Sequence, residues 1–266
     1  MRRVLSIVVV TLIFVLSGCQ SQDDNVLVVG LECNYAPFNW TVSSDSETAV
    51  SIEEVNAYCD GYDVQVASYI AEELGMELQI RKIEWDGLIP ALLSGEIDVI
   101  IAGMSPTPER AETVSFTNEY YRSEQVLVVS SSGDYADATL LSDFSGAAVI
   151  AQLGTLQDGL IDQIRDVNHQ TALNDYPSLV ASLTSGVSDA VVAELPVAQS
   201  IVSSNSGLSI VRLGDNGFTV DDSDVSVSVA VRQEDTALLA DINTVLSGIS
   251  EATRNLWMEE ALTRQP

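Results

Sequence analysis

The segment GMSPTPER, Gly103 to Arg110, contains a charge in an unfavourable place. Thr107 is a good helix N-cap, Pro108 fits the first helical position, and Glu109 complements the positive end of the helix dipole. Arg110 in that same turn opposes the dipole. A bound anion would remove the conflict, and a guanidinium fork matches a carboxylate in bidentate fashion. A salt bridge to Glu109, Glu112 or another acid accounts for Arg110 equally well. A second anion-friendly element is Leu153-Gly154-Thr155, which joins a strand to a helix and leaves the N–H groups of Thr155 and Leu156 free to hold a carboxylate. Glu194 ends an apolar strand and could neutralise an ammonium opposite Arg110; an ordinary surface acid is the other reading. Tyr35 and Trp85 each follow a strand, where their rings either sandwich a ligand side chain or belong to the core.

Several chemistries are disfavoured. The single histidine, His169, sits in a polar stretch and suits neither a Ser-His-Asp catalyst nor a metal site, and the cysteines are not clustered. The only lysine, Lys82, belongs to no phosphate-binding loop, so no nucleotide or other cofactor is expected. The chain carries 39 acidic and 11 basic residues, a formal charge of −28, which repels phosphate backbones and makes nucleic acid an improbable partner.

The elements that must position these residues follow from a weak internal repeat. ALLSGEIDVIIA (Ala91 to Ala102) recurs as SLTSGVSDAVVA (Ser182 to Ala193). Each copy reads as the end of a helix, a glycine cap and a short buried strand, so the chain is expected to build two lobes of similar topology. Around the first copy, Val26 to Gly30 reads as a strand. Asp63 opens a helix closed by Gly75, Leu78 and Ile80 mark a strand, and Trp85-Asp86 lead into a helix with Pro90 in its first turn. This alternation predicts a largely parallel α/β sheet. Val126 to Val129 reads as a further strand, and the polar run Ser130 to Asp137 as the crossing into the second lobe. There a strand near Ala147 to Gln152 and helices from Gln157 and after Pro196 are expected. Val225 to Val231 alternates as the strand that carries the chain back. Two crossings make a hinge, and a hinge between lobes makes a cleft.

The first residues read as an export signal, with Arg2 and Arg3 ahead of an apolar run from Val4 to Leu16 that is short for a membrane span. The run ends in Leu-Ser-Gly-Cys, which resembles the lipobox of bacterial lipoproteins, where cleavage precedes an acylated cysteine, here Cys19. Residues 1–18 are then a signal peptide and 19–25 a tether. Loss of Arg2 and Arg3 leaves 9 basic residues against 39 acidic ones, a formal charge of −30. Cys33 and Cys59 remain and can pair or stay free outside the cell.

At YAPFNW (Tyr35 to Trp40), GYDVQVASYIAEELG (Gly61 to Gly75), the run from Trp85 through Arg110, VSFTNEYY (Val114 to Tyr121) and SGVSDAVVAELPVA (Ser185 to Ala198), the sequence resembles the family 3 bacterial extracellular solute-binding proteins, the polar amino acid receptors of ABC importers. The likeness covers nearly the whole mature chain. It implies a two-lobed, type II periplasmic-binding-protein-like α/β fold hinged on two crossing strands, with residues 26–125 and 226–266 in one lobe and 126–225 in the other. It implies that Arg110 grips a ligand α-carboxylate with help from Ser105, Gly154 and Thr155. Gly103 offers its carbonyl, and Glu194 its carboxylate, to the α-ammonium, while Tyr35 and Trp85 flank the side chain. Glu194 replaces the aspartate usual at that position, Glu119 stands where a proline is common, and the loop Thr41 to Asp60 is long and acidic. In relatives that bind lysine, arginine or ornithine, a carboxylate at the position of Glu32 meets the basic end of the ligand. A buried carboxylate needs such a partner. A basic amino acid is therefore the first expectation, with glutamine, histidine, cystine or another polar amino acid as alternatives.

The reading is thus of a monomer without enzymatic activity, held by lipid on the extracytoplasmic face of the cell membrane and serving an ABC permease. A sensory module, or a lyase resembling periplasmic cyclohexadienyl dehydratases, is the competing reading.

Overall fold

A computed structural model of the protein describes residues 25–265. The expected signal 1–18, Cys19 and the tether up to Asp24 lie outside the described residues.

The chain starts with β1 (Val26–Leu31), whose apolar side chains are mostly buried, and then builds a small sheet from β2 (Asn34–Tyr35), β3 (Asn39–Val42), β4 (Val50–Ser51) and β5 (Tyr58–Asp60). The stretch expected as a long acidic loop from Thr41 to Asp60 is mostly loop, with its two ends and Val50–Ser51 joining this sheet. Cys33, in the bend ahead of β2, is disulfide-bonded to Cys59 on β5, with Cα atoms 5.6 Å apart.

Helix α1 (Tyr62–Leu74) begins one residue before Asp63, is capped by Gly61, and closes on Gly75 in the left-handed conformation, which a side chain would strain. Strand β6 (Glu77–Lys82) follows, then a 3-10 turn at Trp85–Gly87 and α2 (Leu88–Ser94). After β7 (Val99–Ile100) come α3 (Pro108–Ala111), capped by Thr107 with Pro108 at its start as expected, and β8 (Val114–Arg122).

The next strand, β9 (Gln125–Ser130), already belongs to a different sheet. The crossing is thus the pair Ser123-Glu124, not the polar run Ser130 to Asp137. Ser123 N–H donates to Val225 O at 2.8 Å, so outgoing and returning segments lie side by side.

Beyond the crossing are β10 (Ala148–Ile150), α4 (Leu156–Leu160), β11 (Asn168–His169), α5 (Tyr176–Thr184), β12 (Ala190–Glu194), α6 (Leu195–Ser204) and β13 (Leu208–Val211). The chain returns in β14 (Ser226–Arg232) and ends in α7 (Thr236–Ser247) and α8 (Glu251–Arg264). Helix α8 packs on α1 of one lobe and α6 of the other.

The two five-stranded sheets have the orders β6-β1-β7-β14-β8 and β11-β10-β12-β9-β13. In each, one strand runs against the rest: β14 is antiparallel to β7 and β8, and β9 to β12 and β13. Both are strands that have just crossed from the other lobe.

The repeat corresponds to α2–β7 and α5–β12, and its shared aspartate has one task in both. Asp98 accepts from Val28 N–H at 3.0 Å, tying β7 to β1. Asp189 accepts from Ala148 N–H at 2.8 Å, tying β12 to β10. The strands of the repeat are wholly buried, because helices and loops cover both faces.

Candidate functional site

The cleft between the sheets collects its residues from strand ends and helix starts. From the first lobe come Glu32 just after β1, Tyr35 on β2, Trp85 in the 3-10 turn, Gly103 and Ser105 after β7, and Arg110 on α3. From the second come Gln152 to Thr155 between β10 and α4, Leu156 and Tyr176 at the starts of α4 and α5, and Glu194 at the end of β12. Tyr35, Trp85, Gly103, Ser105, Arg110, Thr155, Leu156 and Glu194 line one inner cavity, together with Gln152, Gln157 and Tyr176, which sequence reasoning missed. Glu32 reaches this group through Gln152, and Gly154 borders an adjoining vestibule of about 790 Å³. Gln152 immediately precedes the Leu-Gly-Thr turn, and Tyr176 follows the helix cap Asp175. Those positions were the available signal.

Arg110 pairs with no carboxylate among the described residues; its Nη1 donates to Ser105 O at 2.9 Å and its Nη2 to Gly154 O, across the cleft, at 3.3 Å. The salt bridge to Glu109 or Glu112 does not form. The guanidinium lies 5.0 Å above the Trp85 ring, and Trp85 Nε1 also donates to Gly154 O, at 3.0 Å. Burial lowers the Arg110 pKa and the nearby Glu194 works against that shift.

Gly154 therefore meets the opposite lobe through its carbonyl. The Thr155 N–H, expected free, is engaged with Gln152 O at 3.4 Å, while the Thr155 hydroxyl caps α4. Ser105 Oγ donates to Asp224 O at 3.3 Å.

Glu194 is buried and accepts a hydrogen bond from the Tyr35 hydroxyl across the cleft. Burial raises its pKa, while the hydrogen bonds from Tyr35 and Gln157 and the charge of Arg110 oppose the rise. The Tyr35 ring stacks on Phe38 at 5.2 Å and leans on Tyr176 at 5.0 Å. It is thus both core and cavity wall.

Glu32 is 2 % exposed; its Oε1 accepts from Gln152 Nε2 at 2.7 Å, and its Oε2 has no partner. Desolvation pushes its carboxyl up to about 8, the Gln152 hydrogen bond acting against this and Glu84, Asp175 and Asp63 adding to it. The cleft thus combines a cation that holds only carbonyls, two buried carboxylates, and aromatic walls. Such a set suits a small zwitterion carrying a further positive charge.

Away from the cleft, His169 is exposed and bridges Asp158 and Asp162 at 2.9 Å each. Among the described residues no cluster fit to hold a metal occurs, and no helix is long and apolar enough to cross a membrane.

A sequence model of the bacterial extracellular solute-binding proteins, family 3, matches residues 27–256. The chain is 33% identical to a probable histidine-binding protein of Campylobacter jejuni over 67% of this chain and 64% of that one. It is 27% identical to an arginine-binding extracellular protein of Bacillus subtilis, over 82% of this chain and 80% of that one. Among solved structures, an amino acid ABC transporter substrate-binding protein from Streptococcus pneumoniae bound to L-arginine superposes with a TM-score of 0.79 and 28% identity, covering 90% of this chain and 94% of that one.

Proposed function

Because this chain belongs to the bacterial extracellular solute-binding proteins, family 3, we propose that it captures a basic amino acid between its two lobes outside the cytoplasm and delivers it to an ABC permease. Its architecture is the two-lobed type II periplasmic-binding-protein fold, and relatives named for binding arginine and histidine support the amino acid reading. In this proposal Arg110 exchanges its carbonyl partners for the ligand α-carboxylate, assisted by Ser105 and the Gly154-Thr155-Leu156 turn. Glu194 and the Gly103 carbonyl receive the α-ammonium, which takes the place of the Tyr35 hydroxyl on Glu194. Tyr35 and Trp85 then border the side chain, whose cationic end meets Glu32. Cys19 carries the lipid that keeps the receptor at the membrane.

The observation that carries the basic preference is Glu32 Oε2, a carboxylate oxygen inside the lobe interface with no hydrogen-bond partner. An unpaired buried charge is costly, and a ligand cation removes that cost.

The test is isothermal titration of the mature protein with the standard amino acids plus ornithine, citrulline and cystine. Binding confined to cationic ligands is expected, and a response only to acidic or neutral ones refutes the basic preference. Arg110→Ala should abolish binding with little change in Tm. Unchanged affinity would remove Arg110 from the site.

A further inference from the structure

The first-lobe wall of the cleft turns on two residues with left-handed backbone, Cys33 (φ 51) between Glu32 and Tyr35, and Gly103 (φ 65) ahead of Ser105. A non-glycine residue adopts this conformation only where its surroundings hold it there. The fit between the two turns is close, since a Cβ on Gly103 would stand 2.7 Å from Tyr35 Cε1.

Both turns are tied, from behind the cleft, to one carboxylate. Cys33 N–H donates to Asn39 Oδ1 at 2.7 Å, and Asn39 Nδ2 donates to Asp63 Oδ2 at 2.8 Å. On the other side Gly103 N–H donates to the Tyr120 hydroxyl oxygen at 3.1 Å, and that hydroxyl donates to Asp63 Oδ1 at 2.7 Å. Asn39, Asp63 and Tyr120 are each 0 % exposed, so water does not compete for these bonds.

The chemistry sets the direction of every bond. An ionised carboxylate only accepts, so Asn39 must turn its NH2 toward Asp63 and its oxygen toward Cys33 N–H. Tyr120 must likewise give its proton to Asp63 and keep a lone pair for Gly103 N–H. Desolvation pushes the Asp63 carboxyl up to about 7, with the bonds from Tyr120, Asn39 and Gly103 holding it down.

We propose that Asp63 is a positioning residue for ligand capture, acting through Asn39 and Tyr120 to fix the turns at Cys33 and Gly103 that present Glu32, Tyr35 and Ser105 to the cleft. The proposal rests on the amino acid reading above. A purely structural role for Asp63, in the first turn of α1, is the alternative.

The test compares Asp63→Asn, Tyr120→Phe, their combination, and Asp98→Ala, which removes another carboxylate that ties the same lobe together but has no part in this chain. L-arginine binding is measured by titration, stability by thermal melting, and the Cys33 and Gly103 amides by 15N NMR without ligand. Asp63→Asn and Tyr120→Phe should each weaken binding at least about tenfold with one-to-one stoichiometry retained. The double variant should be no weaker than the worse single one, because both cut one chain. The Cys33 and Gly103 amide signals should move in Asp63→Asn, while Asp98→Ala lowers Tm and leaves affinity within about twofold.

Binding by Asp63→Asn within about twofold of wild type, unmoved amides, or an equal loss in Asp98→Ala overturns the proposal. If Asp63→Asn does not fold, unaltered binding by Tyr120→Phe does so. Wild type that binds no amino acid overturns the functional reading instead, and the amide shifts still decide the positioning role.

Discussion

Glu32 holds one oxygen on Gln152 and leaves the other without a partner, and that asymmetry has a pH signature. Its carboxyl titrates near 4.5 when solvated and about 8 in the folded chain. Between those values the folded state keeps a proton that the unfolded state has lost, so this group contributes stability at low pH that fades as pH rises toward about 8. A cationic ligand favours the ionised form and must release that proton on binding below about pH 8. Affinity for L-arginine should therefore rise with pH through this window, and titration in buffers of different ionisation enthalpy should detect proton release. Glu32→Gln should flatten the slope to the part due to Glu194, whose pKa burial also raises and which meets the α-ammonium, and to Asp63, and should weaken L-arginine binding about 30-fold or more. A slope unchanged in Glu32→Gln would dissociate it from Glu32. Arg110 stood out in the sequence mainly through the family resemblance, because α3 is one four-residue turn in which Arg110 also lies at the C-terminal end, so the expected conflict with a helix dipole does not arise. The Tyr35–Glu194 bond was not legible, since it depends on how closely the lobes approach.

At the scale of elements, the repeat is a device for joining strands. Its aspartate gives each lobe a side-chain acceptor for the N–H of a neighbouring strand, Val28 in one and Ala148 in the other. Asp189→Ala should cost about 1 kcal/mol, read by urea unfolding, and should speed hydrogen exchange at Ala148 while the first sheet stays protected. Equal loss of protection in both sheets would contradict that. The helix-glycine-strand repeat was readable because caps and buried runs are local signals. The short strands of Asn39 to Asp60 were not, because their pairing partners make them strands and the acids of that stretch make it read as a loop. The crossing was misplaced for a similar reason. Ser130 to Asp137 has linker composition, whereas the true crossing at Ser123-Glu124 is only as long as the gap between two adjacent strands requires.

For the molecule as a whole, charge and closure act on the same event. A formal charge of −28 over the full sequence, or −30 without Arg2 and Arg3, attracts a cation from beyond contact range. The association rate for L-arginine should fall several-fold from about 20 to about 200 mM salt while that for a neutral amino acid changes little, as stopped-flow fluorescence of the cleft tryptophan would report. Equal salt dependence for both ligands would mean that the surface charge plays no part in capture. Closure is carried by Gln152 on Glu32, by the Tyr35 hydroxyl on Glu194 and by the Gly154 carbonyl on Trp85 and Arg110, so the lobes meet through groups that also line the site. The internal repeat, joined by the resemblance, made two lobes and their cleft legible, but only the folded chain shows which polar groups bridge them.

The late strand that completes the first sheet also has a meaning in time. The second sheet draws all its strands from one uninterrupted stretch, β9 to β13, but the first has a gap between β7 and β8 that only β14 can fill. A chain that emerges from its N-terminus therefore completes the later half first. The wall bearing Arg110 and Glu32 waits for residues near the end of the polypeptide. During synthesis the molecule is thus half built, and the first-lobe wall of its cleft is the part completed last.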